Sequence, residues 1–276
     1  MKLGLGTVQF GLDYGISNQG GVTPPAEVAK MLALAAREGV HCLDTAPAYA
    51  SSEEVLGASL APEDDFEIVT KTLKGASSVE ATLRRSLERL HRPSVYGLLV
   101  HDADSLDAPM FAELQRVKDL GLVRKIGVSV YTGAQIDSTL ERFRIDLVQA
   151  PVSLVDQRLL HGGQLDRLKE RGVEIHARSV FLQGLLLMEP ASLPAHFAGV
   201  RPKLQALRDR FGSMLEASLG WVLSLPQVDR AIVGATTVRE LEQLIAAARA
   251  PAAIEGASAL AWSDENVLNP ARWPKR

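Results

Sequence analysis

Four polar residues end four successive apolar runs of the chain, and a tyrosine closely follows the first of them. Asp44, Lys71, His101 and Ser129 stand at these positions, and Tyr49 lies a few residues beyond Asp44. In a barrel of parallel strands, the carboxyl ends of all strands open onto one face, and that face carries the chemistry. We therefore expect these side chains, although far apart in the chain, to converge on one pocket.

A phenol, an ammonium, a carboxylate and an imidazole together suit proton transfer to a carbonyl oxygen. A tyrosine hydroxyl loses its proton near pH ~10, which is too high for efficient acid–base work at neutral pH. A nearby Lys71 ammonium favours the phenolate and lowers the pKa of Tyr49, while Asp44 supplies the counter-charge that a buried lysine needs. A neutral His101 would orient the carbonyl oxygen, and the set would support reduction by a hydride.

Each of these residues also has a purely structural explanation. Asp44 would cap a loop, Lys71 would pair with any carboxylate, and Tyr49 would pack within its loop. His101, which precedes Asp102, would brace a turn. Polar residues often end strands, so only the coincidence of four roles on one barrel face favours catalysis.

The elements that would position these residues alternate between strand and helix, which is typical of a parallel sheet. Eight strand–helix units follow one another without a linker-like gap, so we expect one α/β domain over residues 1–276 with a (β/α)8 TIM-barrel fold. The segment 251–276, with Trp262 and Trp273, is expected to pack on the barrel. The predicted strands are Lys2–Leu5, His41–Leu43, Phe66–Thr70, Tyr96–Val100, Lys125–Val128, Leu147–Ala150, Val173–Ala177 and Arg230–Val233.

Capping residues indicate where the first two helices begin. Thr23 is expected to cap the first helix, with Pro24 at the first helical position, where its missing N–H costs nothing. Ser51 or Ser52 is expected to cap the second helix, which would run through Leu60.

Composition excludes several classes of partner. A formal net charge of −3 provides no basic field for nucleic acid, and no apolar run approaches membrane-spanning length. The chain enters a strand-like segment at Lys2, so we expect no signal peptide. The single cysteine, Cys42, excludes an internal disulfide and is interpreted as a buried hydrophobe, which fits a cytoplasmic protein. We expect no metal site.

The motifs around the polar residues resemble those of the aldo-keto reductase family over almost the whole chain. The resemblance implies that Asp44, Tyr49, Lys71 and His101 form the family's catalytic tetrad, with Tyr49 as general acid/base and His101 orienting the carbonyl. The motifs are Asp44-Thr45-Ala46 with Tyr49, Ser52 to Gly57, Val69-Thr70-Lys71, Leu99-Val100-His101 and Leu114 to Ser129.

The resemblance also implies a nicotinamide cofactor, NADP(H) in preference to NAD(H), extended across the barrel mouth. Ser129 and Gln149 would hold the carboxamide, Arg178–Gly184 would stack on nicotinamide and contact the pyrophosphate, and Gly234–Thr237 would lie near the adenosine phosphate. Gly4-Leu5-Gly6 is no dinucleotide fingerprint, because Gln9 stands where the third glycine belongs. The expected cofactor contacts are Thr7, Asp44, Ser129, Gln149, Arg178, Ser179, Phe181, Gln183, Gly184, Gly234, Thr236 and Thr237.

The chain departs from the family pattern at three points. Arg178 stands where the family often has an aromatic residue, and its charge favours an anionic or polyhydroxylated substrate. Ser129-Val130 replaces the common Ser-Asn pair. The loop Gly234–Thr237 lacks basic residues, although a 2′-phosphate favours a cation, and Arg239 is the nearest candidate.

The expected activity is reduction of an aldehyde, ketone or sugar-like carbonyl by a protein that is a monomer in preference to an oligomer. The opening Thr7–Gly15 resembles a bacterial branch of the family associated with surface-polysaccharide sugars, and Tyr14 is a further pocket candidate. Two alternatives stay open: a lyase or epimerase that uses Tyr49 and Lys71 for proton abstraction, and a non-catalytic cofactor-binding protein.

Overall fold

The computed structural model describes residues 1–76 and 78–274, which include eight parallel strands joined in sequence order into a closed barrel. Because β1 pairs with β2 on one side and with β8 on the other, the sheet has no open edge. The predicted (β/α)8 fold is confirmed. The strands are β1 Leu3–Gly6, β2 Cys42–Asp44, β3 Glu67–Lys71, β4 Val95–Val100, β5 Val123–Ser129, β6 Leu147–Pro151, β7 Glu174–Arg178 and β8 Arg230–Gly234.

Helices connect the strands, as the alternating pattern predicted. The helices are α1 Pro25–Arg37, α2 Ser52–Ser59, α3 Val79–Leu90, α4 Ala108–Asp119, α5 Gly133–Arg142, α6 Arg158–His161, α7 Gln164–Glu170, α8 Arg201–Phe211, α9 Met214–Ser224, α10 Val238–Ala248 and α11 Glu265–Leu268.

The barrel interior is filled by a small apolar cluster that supports the polar residues at the strand ends. Side chains of a strand alternate between its two faces, so residues two positions apart point the same way. Asp44, Lys71 and Gln149 each lie two residues beyond a member of this cluster and therefore stand above it. The cluster consists of Cys42, Val69, Leu99, Leu147 and Ile232.

The predicted strands were one residue short at the ends that matter for the site. Asp44, Lys71 and Ser129 are the last residues of β2, β3 and β5, whereas His101 directly follows β4. The terminal residues pair in the sheet, as the register of Ser129 with Gln149 shows. Backbone pairing fixes these side chains more firmly than a loop position would.

The predicted cap of α1 was wrong, whereas the predicted position of the α2 cap was confirmed without the expected side-chain bond. The residue before a proline is disfavoured in the helical region, so Pro24, which precedes Pro25, is extended and α1 begins one residue later than expected. Among the described residues, the buried Thr23 hydroxyl has no hydrogen-bond partner. At α2, Ser51 stands at the N-cap position, one of the two predicted, but its side chain makes no cap hydrogen bond, and the Ser52 hydroxyl donates to the Thr7 carbonyl at 2.8 Å.

The C-terminal segment contacts the loop that follows β6. The Trp262 amide donates to the Val155 carbonyl at 2.8 Å, and the Gln157 side chain donates to the Ala257 carbonyl at 2.7 Å. The Trp273 ring packs edge-on against Phe197. Lys275 and Arg276, which belong to the predicted tail, lie outside the described residues.

Candidate active site

Asp44, Lys71 and Tyr49 form one hydrogen-bonded group at the carboxyl ends of β2 and β3. The Lys71 Nζ atom donates to both Asp44 carboxylate oxygens at 2.8 Å, to the Thr45 carbonyl at 3.0 Å and to the Tyr49 hydroxyl at 3.2 Å. Lys71 is only 1% exposed. A buried ammonium is stable here because a carboxylate and two further oxygens surround it.

Burial and pairing set the proton affinities of this group in opposite directions. Burial raises the pKa of Tyr49 above its usual value, and the Lys71 ammonium, which acts to lower it, does not offset burial. Burial alone would lower the pKa of Lys71, but Asp44 and Tyr49 raise it above its ordinary value. The expectation of a lowered tyrosine pKa was therefore wrong for the net shift, although right for the effect of Lys71. Tyr49 is consequently protonated at neutral pH.

The His101 ring lies beside the tyrosine, edge-on to it, with ring centres 6.2 Å apart. Burial, and next the charge of Lys71, lower the pKa of His101 to about 4. The imidazole is therefore neutral at physiological pH, and its one ring N–H can donate a hydrogen bond to a carbonyl oxygen. Asp102, the residue after His101, pairs with Lys74.

A second buried carboxylate, which the sequence reasoning missed as a site element, ties α2 to β3 and α3. Glu53 is fully buried; its Oε1 accepts from the Thr70 hydroxyl at 2.7 Å, and its Oε2 accepts from Arg89 at 2.5 and 2.9 Å. Thr70 precedes Lys71, and Glu53 follows Tyr49 by four residues. The bridge therefore fixes the tyrosine loop relative to the lysine. A charged residue on the buried face of α2 was the available signal.

Three of the predicted cofactor contacts are engaged with the tetrad or its support. The Gln149 side-chain amide donates to Asp44 Oδ1 at 2.7 Å, and Ser129 is its register partner at the end of β5. The Thr7 hydroxyl donates to the Asp44 carbonyl at 3.0 Å and lies 2.8 Å from the Ser52 hydroxyl. Gln149 thus shares the Asp44 Oδ1 atom with Lys71 and helps to orient the carboxylate, whereas Thr7 fixes the Asp44 backbone.

The segment after β7 begins with a stacked pair and continues in an unusual backbone conformation. The Arg178 guanidinium lies 4.1 Å from the centre of the Tyr131 ring and donates to the Val130 carbonyl at 2.8 Å. Ser179, Leu182 and Gln183 all have positive φ angles. Such strain in residues other than glycine is concentrated at functional sites, which supports a binding role for this loop.

The loop after β8 contacts the first strand and the following helix. A Cβ atom on Gly234 would lie 2.4 Å from the Gln9 side-chain nitrogen, so a larger residue there would displace the end of the Gln9 side chain. Thr236 donates through its amide and hydroxyl to Glu240 Oε2 at 2.7 and 2.8 Å, and the Thr237 hydroxyl caps α10. Sequence reasoning missed Glu240, although an acid three residues after a capping threonine was a visible signal.

All of the predicted site residues line one cavity of about 990 Å³ at the carboxyl ends of the strands. This volume lies in the range of roughly 300–1,000 Å³ that ligand and cofactor sites occupy. Gln9 lines the cavity, and among the described residues its Oε1 atom has no hydrogen-bond partner. Together with the glycines of the lining, where no side chain covers the backbone, this polar surface fits a polar dinucleotide. The predicted residues that line it are Thr7, Asp44, Tyr49, Lys71, His101, Ser129, Gln149, Arg178, Ser179, Phe181, Gln183, Gly184, Gly234, Thr236 and Thr237.

The cavity also includes residues that the sequence reasoning did not assign. Tyr14 lines it, as considered, together with Tyr131 on the loop after β5. Arg208 of α8 reaches it and pairs with Glu189.

The helices of the described residues include none with the length and apolar character that a membrane span requires.

Comparison with known proteins agrees with this fold and site. Residues 2–261 match the sequence profile described as the aldo/keto reductase family, and the chain belongs to that family. This membership and the relatives below identify an NAD(P)H-dependent oxidoreductase, as predicted.

Two bacterial reductases are among the similar sequences. An aldo-keto reductase of Mycolicibacterium vanbaalenii is 29% identical over 178 residues, which cover 60% of this chain and 62% of that protein, so the match spans less than two thirds of its length. The aldo-keto reductase YhdN of Bacillus subtilis is 23% identical, over 88% of this chain and 83% of that protein.

Solved structures of the family share the architecture. A putative aldo-keto reductase from Pseudomonas aeruginosa superimposes with a TM-score of 0.69 at 27% identity, covering 90% of this chain and 89% of that one. The holo form of an aldo-keto reductase from Bacillus halodurans has a TM-score of 0.77 at 20% identity, covering 99% of this chain and 95% of that chain. At 20% identity, the similarity to the Bacillus halodurans structure shows a shared fold and nothing more specific.

Proposed function

We propose that this protein reduces the carbonyl group of a small molecule with a nicotinamide cofactor, and that Tyr49 is the proton donor. The observation that carries the proposal is the 3.2 Å contact between the Tyr49 hydroxyl and the buried Lys71 ammonium. The contact lies at the wall of the cavity, so an incoming carbonyl oxygen can reach the hydroxyl.

Each member of the tetrad has a distinct task in this reaction. Tyr49 gives its hydroxyl proton to the carbonyl oxygen as the dihydronicotinamide, when bound, supplies a hydride to the carbonyl carbon, and an alcohol results. Lys71 stabilises the phenolate that remains, and Asp44 keeps the lysine charged. The neutral His101 imidazole donates a hydrogen bond that orients the carbonyl oxygen.

The predicted cofactor contacts supply a consistent arrangement for the dinucleotide. Ser129 and Gln149 would hold the carboxamide near the tetrad, and Arg178–Gly184 would cover the nicotinamide and pyrophosphate. Gly234–Thr237 would lie beside the adenosine half. Their common position on one cavity supports this assignment. The family resemblance favoured NADP(H) over NAD(H). However, none of the cavity-lining residues of the loop after β8 has a basic side chain that would support this preference.

The substrate side of the cavity suits a polar carbonyl compound, and we infer an aldehyde, ketone or sugar-like substrate. Tyr14, Tyr131 and Arg178 line the cavity along with His101 and offer hydroxyl and guanidinium groups to a polyhydroxylated or anionic molecule. A yeast protein named D-arabinose 1-dehydrogenase is 30% identical over 111 residues, which cover 34% of this chain and 33% of that protein. That partial likeness supports a sugar-like substrate.

The deciding experiment mixes the purified protein with NADPH or NADH and a panel of aldehydes, ketones and sugars. Loss of nicotinamide absorbance equal to the alcohol formed is the expected result. Substrate turnover without net cofactor change would instead favour the lyase or epimerase alternative, and tight cofactor binding without any turnover would favour a binding protein.

A monomeric state and a cytoplasmic location remain part of the proposal, the latter supported by the buried free thiol of Cys42.

A further inference from the structure

We propose that this protein binds NAD(H) in preference to NADP(H), because the Glu240 carboxylate occupies the outer end of the cavity where a phosphate on the adenosine ribose would lie. The inference rests on the proposed function, since it takes a nicotinamide dinucleotide as the cofactor. It opposes the preference that the family resemblance implied.

The shape of the cavity places the adenosine half near Glu240. The reactive ring of the cofactor has to lie beside the Tyr49 hydroxyl, on the β2–β3 side of the barrel mouth. The cavity continues from there across the ends of β7 and β8 to the first turns of α9 and α10, where it is lined by Gly212–Leu215 and Glu240. Because the helices form a ring outside the strands, these turns are the outer end of the cavity.

The first turn of α10, which would otherwise attract an anion, is already satisfied by carboxylates. The amides at a helix N-terminus bind phosphate readily when they are free. Here the Thr236 amide and hydroxyl donate to Glu240 Oε2, and the Val238 amide donates to Glu27 Oε1 at 2.8 Å. A phosphate would have to displace two acids of its own charge.

The cations of the cavity are engaged elsewhere. Among the described cavity-lining residues, the cationic side chains are Lys71, Arg178 and Arg208. Lys71 is held by Asp44, Arg208 pairs with Glu189, and Arg178 stacks on Tyr131 at the end of β7. None of these cations belongs to the β8–α10 segment, which would have to provide the charge for a 2′-phosphate. Arg239, the basic residue of that segment, is not among the residues that line the cavity.

Glu240 can also contribute to binding a ribose that carries no phosphate. Both hydrogen bonds from Thr236 use Oε2, so the lone pairs of Oε1 are available for a ribose hydroxyl. An acidic side chain that accepts from the ribose 2′-hydroxyl is the arrangement found in other NAD sites. The same carboxylate repels a 2′-phosphate, which would lie within a few ångströms of it.

The test is a titration of the full chain with NADH and with NADPH, followed by the change in protein and nicotinamide fluorescence. We expect NADH to bind about tenfold more tightly than NADPH, since the carboxylate is exposed and its repulsion is partly screened. Raising the salt concentration should bring the dissociation constants of NADPH and NADH closer together, because salt screens the repulsion. In Glu240→Gln, whose amide oxygen still accepts from Thr236, the charge that repels a 2′-phosphate and the second oxygen that would accept from the ribose are both lost. NADPH affinity should therefore rise and NADH affinity should fall slightly.

Glu242→Gln is the matched control, because it removes the same charge from the same helix at an exposed residue that does not line the cavity. Its NADH to NADPH ratio should equal that of the parent protein. The inference is overturned if NADPH binds as tightly as NADH in the parent protein, or if Glu240→Gln leaves the ratio unchanged. The proposed function survives both of those results, whereas failure of both nucleotides to bind would overturn the proposed function and this inference with it.

Discussion

The Lys71 nitrogen lies 3.2 Å from the Tyr49 hydroxyl oxygen and 4.9 Å from the centre of the tyrosine ring. The ammonium therefore contacts the polar end of the phenol and also lies near its ring. Because Lys71 belongs to β3 and Tyr49 to the loop after β2, the contact joins two adjacent barrel units. A phenolate formed at this position would be stabilised by a full positive charge that is already in place.

Replacing Tyr49 by phenylalanine should remove most of the carbonyl reduction while cofactor binding persists. General acid catalysis contributes roughly 10²–10⁴-fold in rate, and kcat should fall by about that factor. Steady-state kinetics and a cofactor titration measure the two effects separately.

Tyr96→Phe serves as the control for this substitution, since its hydroxyl bonds Glu174 and it does not line the cavity. Activity of Tyr49→Phe equal to that of the control would contradict the assignment of Tyr49 as proton donor.

The half-buried His101 should make the protein less stable at acidic pH. The pKa of this imidazole is about 4 in the folded state, against ~6.5 in an unfolded chain, so the unfolded state binds more protons between these values. The titration of His101 therefore leaves the free energy of unfolding unchanged above about pH 6.5 and lowers it as the pH falls from there towards 4. Between about pH 7 and pH 5 the loss should amount to about 2 kcal/mol.

Urea unfolding of the parent protein and of His101→Gln over this pH range isolates the contribution. The stability curve of the variant should fall less steeply on the acidic side. Parallel curves for the two proteins would show that His101 is not held neutral by its surroundings.

Removing the arginine that pairs with Glu53 should destabilise the fold strongly. Arg89→Leu would leave a fully buried carboxylate without its cation, which costs about 3–5 kcal/mol. Arg84→Leu is the matched control on the same helix, because Arg84 forms an exposed pair with Glu80 that is worth less than about 1 kcal/mol. Chemical denaturation measures both, and equal losses would refute the bracing role of Glu53.

Replacing Arg178 by alanine should impair ligand binding more than folding. The substitution removes a guanidinium that lines the cavity, and the loss of a charged hydrogen bond to a ligand should raise KM or Kd by about tenfold or more. Stability should fall by only about 1 kcal/mol, for the bond to the Val130 carbonyl.

Arg142→Ala provides the comparison, because Arg142 stacks on Phe143 in the same manner but lies outside this cavity. Unchanged KM and Kd for both ligands in Arg178→Ala would exclude Arg178 from the pocket's function.

Sequence alone was sufficient for the features that depend on near neighbours. The alternation of apolar runs and helical periodicity predicted the eight-unit barrel, and the strand-end positions of Asp44, Lys71 and Ser129 predicted that these residues would face one cavity. The pattern works because strand and helix periods are local and because the barrel opens all strand ends onto one side.

Only the tertiary structure decided how the groups behave together. The net rise in the pKa of Tyr49, the bridge from Glu53 to Thr70 and Arg89, the stacking of Arg178 on Tyr131, and the carboxylate of Glu240 at the cavity's outer end were not predicted. The burial of a side chain and its charged partners depend on residues that are distant in the sequence. No local pattern therefore predicts the net pKa shift that they produce. The chain thus determined which chemical groups face the cavity, and packing determined their charge states and partners.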